Sequence, residues 1–329
     1  MATGNRGKNK LPCRDHVEPD SAYLEYAEQQ IRLHREHPVP AEERGVYNAT
    51  PAAYWDSFYE NNQDKFFKDR HWLRVEFPEL FEWTDARRSA GECREGAGRP
   101  DNGGAHDARP SAESKRSVEA SPAAGILAAP CHRFRIMEVG CGAGNAVFPL
   151  LADIEDPRLF VYACDFSKTA VDVVKASDAY DPDRCAAFVW DLAGTEHPPC
   201  VEPESIDIVL MIFVFSALHP SQWHQAVENA HRLLKPGGIL LFRDYGRNDL
   251  TQLRFKKARL LDDNLYIRGD GTRVYFFTNE ELAAIFGERF AIEQNAVDRR
   301  LLVNRKRELK MFRVWLQAKF RKPISADRS

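Results

Sequence analysis

The chain has 329 residues, a length that suits one large domain with appended segments or two domains. It contains no apolar run of about 18 residues, and its seven cysteines include no C-x-x-C pair, which argues against a membrane-spanning helix, a zinc site and a secreted disulfide framework. The net charge of −3 hides an asymmetry, because residues 241–322 carry 19 Lys and Arg against 11 Asp and Glu; a basic face for an anionic partner and a solvated basic surface both explain it.

The composition of residues 1–20 predicts a disordered N terminus. The first 15 residues hold four cations, no acid before Asp15, and no apolar core of a secretory signal. A weak mitochondrial presequence is the alternative interpretation. Scattered cysteines suit the reducing cytosol or nucleus, so the predicted location is the cytoplasm.

The next segment, SAYLEYAEQQIRLHRE, predicts an amphipathic helix. It begins at Ser21 and has Leu24, Ala27 and Ile31 on one face. This helix opens a helical segment over 21–83 that precedes the globular part of the chain.

A second helix is predicted over TPAAYWDSFYENN. Thr50 is the expected N-cap and Pro51 takes the first helical position, where its missing N–H costs nothing. Trp55, Phe58 and Tyr59 are spaced i, i+3, i+4 and therefore share one face. The stretch FFKDRHWL at 66–73 follows, and it fits neither an amphipathic helix nor an alternating strand.

Residues 84–131 predict a flexible, low-complexity insertion. No Phe, Trp or Tyr occurs between Thr84 and Arg133, so this stretch cannot bury enough apolar surface to offset its ordering entropy. After it the composition is globular over 132–322, and residues 323–329 form a tail.

The globular part alternates strands and helices, which predicts βαβ units and a parallel sheet. The expected strands are FRIMEV, FVYAC, AAFVW, IDIVLMIF and GGILLFRD, and the intervening helices are NAVFPLL, SKTAVDVVKAS and PSQWHQAVENAHRLLK. LYIRGDGTRVYFF predicts a hairpin around Asp270-Gly271. TNEELAAIF predicts a capped helix, and MFRVWLQAKF a final strand.

A glycine-rich loop, MEVGCGAGN, joins the first strand to its helix. Gly140, Gly142 and Gly144 let the backbone turn tightly and approach a ligand closely. Such a loop alone is weak support, because NAD and FAD folds have one at the same place.

Acidic residues at the strand ends narrow the choice of cofactor. Glu138 lies two residues before the first glycine, and Asp165 ends the second strand, where a carboxylate can bind both ribose hydroxyls. Asp191 follows the third strand, where it can accept a hydrogen bond from an adenine amine while Leu192 packs nearby. With the turn RLLKPGG before the fifth strand, this ordered set resembles a class I S-adenosylmethionine-dependent methyltransferase: an α/β, Rossmann-like fold with a seven-stranded, mostly parallel sheet, helices on both faces and, here, an N-terminal helical lid.

Longer motifs resemble the eukaryotic tRNA N3-methylcytidine methyltransferases. They are YWDSFYENNQDKFFKDRHWLRVEFPEL, CDFSKTAVDVV, IFVFSALHP, LLKPGGILLFRDYGRNDLTQLRFKK, YIRGDGTRVYFF and VDRRLLVNRKRELKMFRVWLQAKF. VDRRLLVNR and the insertion are most similar to the cytosolic branch, which acts on threonine and certain arginine tRNAs. The resemblance implies cytidine 32 of the anticodon loop as the target, and an accessory protein such as a seryl-tRNA synthetase or an anticodon-binding-like protein is known for some members.

The resemblance also implies site residues. The cofactor contacts are Trp55, Tyr59, His71, Gly140, Gly142, Asp165, Asp191, Leu192 and Ile212. The acceptor pocket is expected to hold Ile212 and Phe213, with Asp244 as an electrostatic partner of the cationic product or, equally, as a loop carboxylate paired with Arg243 or Arg247. The tRNA contacts are Phe66, Phe67, Lys68, Arg70, Arg247, Arg254, Lys256, Lys257, Arg273, Arg299, Arg300 and Arg305. No metal is expected.

Three alternatives stay open on the sequence. FFKDRHWL either lids the site and contacts RNA, or merely docks its rings on the core and leaves its charges in water. A class I methyltransferase acting on protein or a small molecule explains the cofactor motifs but not the basic C-terminal third. A cofactor-binding RNA adaptor that is active only with a partner is the other rival.

Overall fold

A seven-stranded sheet forms the centre of the molecule. The structure, a computed structural model, describes residues 17–84, 133–304 and 309–324, with the side chains of 303, 304 and 309–311 left aside. The strands are β1 (Phe134–Val139), β2 (Leu159–Asp165), β3 (Cys185–Val189), β4 (Ile206–Ile212), β5 (Leu234–Tyr245), β9 (Ala291–Asn304) and β10 (Leu309–Arg321). Their order is β3-β2-β1-β4-β5-β10-β9, and β10 runs in the direction opposite to the other six. The predicted class I methyltransferase architecture is confirmed.

Helices cover both faces of this sheet. They are α5 (Val147–Asp153), α6 (Lys168–Ala176), α7 (Trp223–Leu233) and α9 (Asn279–Phe286). The central strands are buried on both sides, so alternate residues join two separate cores: Met137 and Val139 pack with α7 and α9, whereas Ile136 packs with α5 and α6. This double burial is why the strands read as continuous apolar runs.

The short helix α8 (Leu250–Leu253) follows β5, and a small antiparallel sheet stands beside the large one. It contains β6 (Leu260–Asp262), β7 (Leu265–Ile267) and β8 (Arg273–Tyr275), and the β7–β8 pairing confirms the predicted hairpin. The α9 cap is also confirmed, because the Thr278 and Glu281 side chains form a reciprocal capping box. The long strand β9 was not predicted. It lies at the edge of the sheet, where the backbone N–H and C=O groups along its outer side have no neighbouring strand in this sheet.

The N-terminal segment contains α1 (Ser21–Glu36), α2 (Ala41–Ala49), α3 (Pro51–Asn62) and α4 (Leu73–Glu76). The bounds of α1 match the prediction, but its N-cap is Asp20, and Tyr23 and His34 are buried beside Ala27 while Leu24 is 43% exposed. The predicted apolar face is right for Ala27 and Ile31, which pack with Leu253, Phe312 and Val314, and wrong for Leu24, because Tyr23 takes the inward position on Phe312. Helix α2 was not predicted.

Several predicted regions lie outside the described residues. They are most of the N terminus 1–20, the insertion after Thr84, Arg305 and most of the tail 323–329. Among the helices that the structure describes, none has both the length and the apolar character needed to span a bilayer.

Candidate active site

The glycine loop after β1 is shaped so that a ligand can approach its backbone. Gly140 and Gly142 have φ values of 68° and 53°, in the left-handed region that favours glycine. A Cβ atom on Gly140 would lie 2.3 Å from Val214 Cγ2, and one on Gly142 would lie 2.4 Å from the Tyr59 hydroxyl oxygen. Both positions therefore require glycine.

Asp165, at the end of β2, holds this loop in place. Its Oδ2 accepts a hydrogen bond from the Gly142 N–H at 3.0 Å, and its Oδ1 accepts one from the Ser167 N–H at 3.0 Å. Burial raises the pKa of Asp165 to about 6, against the opposing effect of these hydrogen bonds. The carboxylate lies at the carboxyl edge of the sheet, with lone pairs left to accept hydroxyl groups from a ligand.

Helix α3 brings two aromatic side chains over the loop. Asp56 fixes the helix, because its Oδ1 accepts hydrogen bonds from Ser167 Oγ at 2.7 Å and from the Thr169 N–H at 3.0 Å at the start of α6. Trp55 and Tyr59 then stack with ring centroids 6.1 Å apart. The predicted shared face of α3 is thus used to cover the cofactor loop.

In the stretch FFKDRHWL, some side chains face the protein interior and others face solvent. The Arg70 N–H donates to the Asn145 carbonyl at 2.8 Å, while Asn145 Nδ2 donates to the Phe67 carbonyl at 3.3 Å and to Asp69 Oδ1 at 3.2 Å. Phe66 is 58% exposed, and Lys68 is exposed as well. Backbone and side-chain hydrogen bonds therefore fasten this segment to the end of the glycine loop.

Arg70 points inward, toward the ends of β1 and β4. Its guanidinium lies 3.3 Å from Glu138 Oε1 and 3.4 Å from the Ile212 carbonyl oxygen. Glu138 is 1% exposed, and burial raises its pKa to about 7, although Arg70 opposes that shift. This placement differs from the predicted phosphate contact, because the buried carboxylate already binds the cation.

These elements surround a single cavity at the carboxyl edge of the sheet. It encloses about 740 Å³ of space, partly open to solvent, and lies at the switch point between β1 and β4 where open α/β sheets bind ligands. The predicted cofactor residues that line it are Trp55, Tyr59, Gly140, Gly142, Asp165, Asp191, Leu192 and Ile212. His71 is exposed and does not line it.

Sequence reasoning missed several lining residues. They are Asn145, Phe166, Trp190, Val214 and Leu218. Phe166 directly follows Asp165 and Trp190 directly precedes Asp191, so a position next to an acid that was predicted to bind the cofactor could have identified both. Val214 and Leu218 lie in the turn after β4, inside the motif IFVFSALHP, which could have pointed to them.

The acceptor side of the cavity contains Phe213 but not Asp244. Phe213 has φ 58° and packs on Tyr245 with ring centroids 4.9 Å apart. Asp244 is fully buried; its Oδ2 accepts from the Ser216 N–H and its Oδ1 from the Tyr245 N–H, each at 2.8 Å. The predicted pairing of Asp244 with Arg243 or Arg247 is wrong, because Arg243 binds Asp298 and Gln317, and Arg247 binds Glu281.

The predicted tRNA cations fall into two groups. Arg273 is 4% exposed and donates to the Ala217 carbonyl, Asn48 and Gln222, so it is an internal structural residue. Arg247 likewise binds Glu281 through two hydrogen bonds of 2.8 and 3.0 Å. Six more face solvent at least in part: Lys68, Arg254, Lys256, Lys257, Arg299 and Arg300. Of these, Arg299 also binds Glu18, and Arg300 also binds Glu76 and Asp298.

The cavity fits S-adenosylmethionine. The glycine cradle excludes any Cβ, Asp165 lines the cavity with a carboxylate that can accept hydroxyl groups, and Glu138 Oε2 is buried without a hydrogen-bond partner in the described residues. Acidic and aromatic side chains together suit a cationic ligand with an adenine ring. Trp55, Tyr59, Asp165, Asp191 and Leu192 would hold it. Within the described residues, no cluster of three or more His, Cys, Asp or Glu side chains could hold a metal ion.

Comparison with known proteins agrees with this geometry. A methyltransferase domain family matches residues 137–240. The "tRNA N(3)-methylcytidine methyltransferase trm140" of Schizosaccharomyces pombe is 46% identical over 94% of this chain and 86% of its own length. The "tRNA N(3)-cytidine methyltransferase METTL2" of Danio rerio is 45% identical over 94% of this chain and 84% of its own. The "tRNA(Thr) (cytosine(32)-N(3))-methyltransferase" of Saccharomyces cerevisiae is 46% identical, and the match spans 43% of that longer protein. The chain therefore belongs to the family of tRNA N3-methylcytidine methyltransferases.

Proposed function

We propose that this protein transfers a methyl group from S-adenosylmethionine to N3 of cytidine 32 in the anticodon loop of threonine tRNAs and some arginine tRNAs. The observation that carries the proposal is the meeting, in one cavity, of the glycine loop, Asp165 and Phe213. The printed activities of relatives 45–46% identical to this chain support the substrate.

The cofactor half of the cavity is assigned to five side chains. Asp165 binds the ribose hydroxyls, Asp191 the adenine amine, and Leu192 packs on the adenine ring. Trp55 and Tyr59 cover the methionine end and exclude water. The exposed position of His71 gives it no such role, and we assign it none.

The chemistry asks the protein for positioning rather than for a base. When bound, the cofactor supplies an electrophilic methyl group on a sulfonium sulfur. N3 of cytosine has a free lone pair at neutral pH, so no side chain needs to remove a proton before attack. The cavity walls align the base and keep water out, and the Phe213 ring face stabilises the positive charge that develops on the methylated ring.

Asp244 acts on this step through the backbone. Its carboxylate holds the Ser216 N–H and thereby the turn that carries Phe213, while the Phe213 N–H donates to the Arg243 carbonyl at 2.8 Å. We therefore propose Asp244 as a positioning residue, and Ile212 and Phe213 as the residues that contact the base.

The tRNA is held by side chains that face solvent. Phe66 and Phe67 offer rings for a base to stack on, since Phe67 also lines the cavity. Lys68, Arg254, Lys256, Lys257, Arg299 and Arg300 are the backbone contacts. N3 lies on the Watson–Crick edge, so the base must be unpaired, as in an anticodon loop.

The proposal includes two further points. An accessory anticodon-binding protein assists with some tRNAs, as the family resemblance implies. The protein works in the cytoplasm, which is supported by seven scattered cysteines without a C-x-x-C pair.

Mass spectrometry of tRNA nucleosides after incubation with purified protein and isotopically labelled S-adenosylmethionine tests the function. Labelled N3-methylcytidine supports it. Label in protein or in a small metabolite instead identifies a different acceptor. Cofactor binding without any transfer, reversed by a second protein, identifies an adaptor.

A further inference from the structure

Arg273, at the start of β8, is a buried cation that binds two distant parts of the chain. It is 4% exposed. Its Nε donates to the Ala217 carbonyl at 3.1 Å, its Nη1 to Asn48 Oδ1 at 3.1 Å and its Nη2 to Gln222 Oε1 at 3.3 Å. Three nitrogens of one planar guanidinium therefore hold the turn after β4 and the end of α2 in a fixed relation, which a single ammonium group cannot do.

The turn held by Arg273 forms part of the cavity wall. Ala217 lines the cavity, and it follows Phe213, the residue proposed to contact the base, by four positions. Gln222 Oε1 also accepts the His219 N–H at 2.9 Å, so the far end of the turn is closed on itself. A displaced guanidinium would therefore move the wall against which the base packs.

The other partner, Asn48, lies in the last turn of α2, three residues before α3 begins. Helix α3 carries the two aromatic side chains that stack over the cofactor loop. The turn between β7 and β8 packs on the same helix, because a Cβ atom on Gly271 would lie 2.3 Å from Tyr54 Cδ1. Arg273 thus connects the helix that covers the cofactor to the wall of the acceptor pocket.

The charge of Arg273 is not neutralised by a direct ion pair. Within residues 17–84, 133–304 and 309–324 its partners are a carbonyl and two side-chain amides, which are all neutral. Burial lowers the pKa of Arg273, and the negative charge of Asp191, which lines the cavity, opposes that shift. Stability alone is a weak reason to keep such a residue, because a buried charge without an ion pair costs free energy.

We propose that Arg273 is a positioning residue for methyl transfer, which holds the wall that contacts the base in register with the helix that covers the cofactor. It touches neither ligand and acts through Ala217 and Asn48. A phosphate contact, the role that the sequence predicted for it, would need the guanidinium in solvent. The inference rests on the proposed function for the reaction that is measured.

The test compares Arg273→Lys with Arg184→Lys. Each substitution keeps the charge and loses the planar fork of donors. Arg184 likewise donates to backbone carbonyls, those of Leu151 and Ile154, but it directly precedes β3 at the amino edge of the sheet, the edge opposite the cavity. Asn48→Ala is a second variant, which removes only the α2 contact and changes an exposed side chain.

Four quantities are measured for each variant. Melting temperature reports the loss of stability, and calorimetry gives the affinity and the stoichiometry of S-adenosylmethionine binding. The values of kcat, expressed per cofactor-binding site, and of KM are measured for a threonine tRNA transcript at several salt concentrations. A residue that only stabilises the fold changes the melting temperature and the number of competent sites, but not kcat per site.

Arg273→Lys should lower kcat by about 10- to 100-fold, because a small misplacement of the reacting atoms is enough for such a loss. Asn48→Ala should lower kcat by about 3- to 10-fold, which is the loss expected for one hydrogen bond. Both should weaken cofactor binding by about 2- to 10-fold. The double variant should be no worse than Arg273→Lys, because both changes break the same hydrogen bond. Arg184→Lys should lower the melting temperature and leave kcat per site and cofactor affinity unchanged.

A wild-type kcat per site for Arg273→Lys would overturn the proposal and leave a structural residue. If Arg273→Lys yields no folded protein, Asn48→Ala decides, and a wild-type kcat for that variant would overturn the proposal. A reduced salt slope of KM with kcat unchanged would make Arg273 an RNA contact instead. A transcript that the wild type never methylates would overturn the proposed function. Cofactor affinity then still decides the role of Arg273, since equal affinities of all variants would remove it.

Discussion

Arg70→Ala and Lys68→Ala should have different effects, although the two cations are neighbours in FFKDRHWL. Arg70 binds the buried Glu138 carboxylate, with its own side chain 14% exposed, whereas Lys68 faces solvent. Arg70→Ala therefore removes an internal partner and loosens the segment over the cofactor. Lys68→Ala removes at most one contact to RNA.

The loss of stability that Arg70→Ala causes should depend on pH. Breaking a buried ion pair costs about 3–5 kcal/mol while the remaining group stays charged. The pKa of Glu138 is already about 7 with Arg70 present, and it rises further without Arg70, so protonation limits the loss below neutral pH. An acid whose folded pKa lies above its unfolded value loses stability as pH rises through the folded pKa. The penalty should thus grow from pH 6 to pH 9, by at most about 1.4 kcal/mol per pH unit.

Chemical denaturation at pH 6, 7.5 and 9 measures this, with titration calorimetry for cofactor affinity. Glu138→Gln, alone and combined with Arg70→Ala, completes the cycle, and the combined variant should lose the pH dependence. Lys68→Ala should leave stability and cofactor affinity unchanged and lower the salt slope of tRNA binding by about one unit. A pH-independent penalty for Arg70→Ala, or identical behaviour of the two variants, would refute the internal role of Arg70.

Three further substitutions test the site. Gly142→Ala should weaken cofactor binding, measured by calorimetry, and should lower stability by about 1–2 kcal/mol for its left-handed backbone alone, measured by denaturation. The control is Gly45→Ala on α2, which should be neutral or stabilising because no atom lies within 4 Å of the new Cβ. Asp165→Ala should weaken cofactor binding by about 1–3 kcal/mol in the same titration, and unchanged affinity would remove it from the ribose site. Asp244→Asn leaves one of two buried N–H groups without its acceptor. Burial raises the pKa of Asp244 to about 6, so the wild type loses stability as pH rises through that value. Measured by denaturation, the loss of unfolding free energy caused by Asp244→Asn should therefore be smaller at pH 7.5 than at pH 5. A penalty that grows over this range would contradict the burial of a raised-pKa carboxyl.

The sequence predicted those parts of the molecule that depend on local patterns. Strands β1, β2, β4 and β5 are apolar runs because both their faces are buried, and the glycine loop needs a backbone that other residues rarely adopt. Such constraints act on adjacent residues and are visible in one sequence. The acids at the ends of β2 and β3 then follow from where the strands stop.

The binding partners of individual arginines were not predictable in this way. Arg243 binds Asp298 across 55 positions, Arg247 binds Glu281 across 34, and Arg273 reaches Asn48 across 225. An arginine held by a distant partner has the same local sequence as one in solvent. The basic C-terminal third therefore contains internal ion pairs as well as surface charge, and composition cannot separate them.

Strand β9 was not predicted, for a related reason. It lies at the edge of the sheet and pairs with β10 alone, so its sequence, AIEQNAVDRRLLVN, mixes charged and apolar residues without strict alternation. Its charged residues Asp298 and Arg300 are used in ion pairs with Arg243 and Glu76. Pairing with β10 decides its conformation.

The central claim is methylation of N3 at cytidine 32, and position-mapped methylation of a threonine tRNA transcript tests it most directly. A threonine tRNA transcript and the same transcript with cytidine 32 replaced by uridine are incubated with the purified protein and labelled S-adenosylmethionine, then digested and sequenced by mass spectrometry. We predict one label per molecule, as N3-methylcytidine in the fragment that contains position 32, and none in the substituted transcript. Equal labelling of both transcripts, or label at another base or atom, would contradict the assignment.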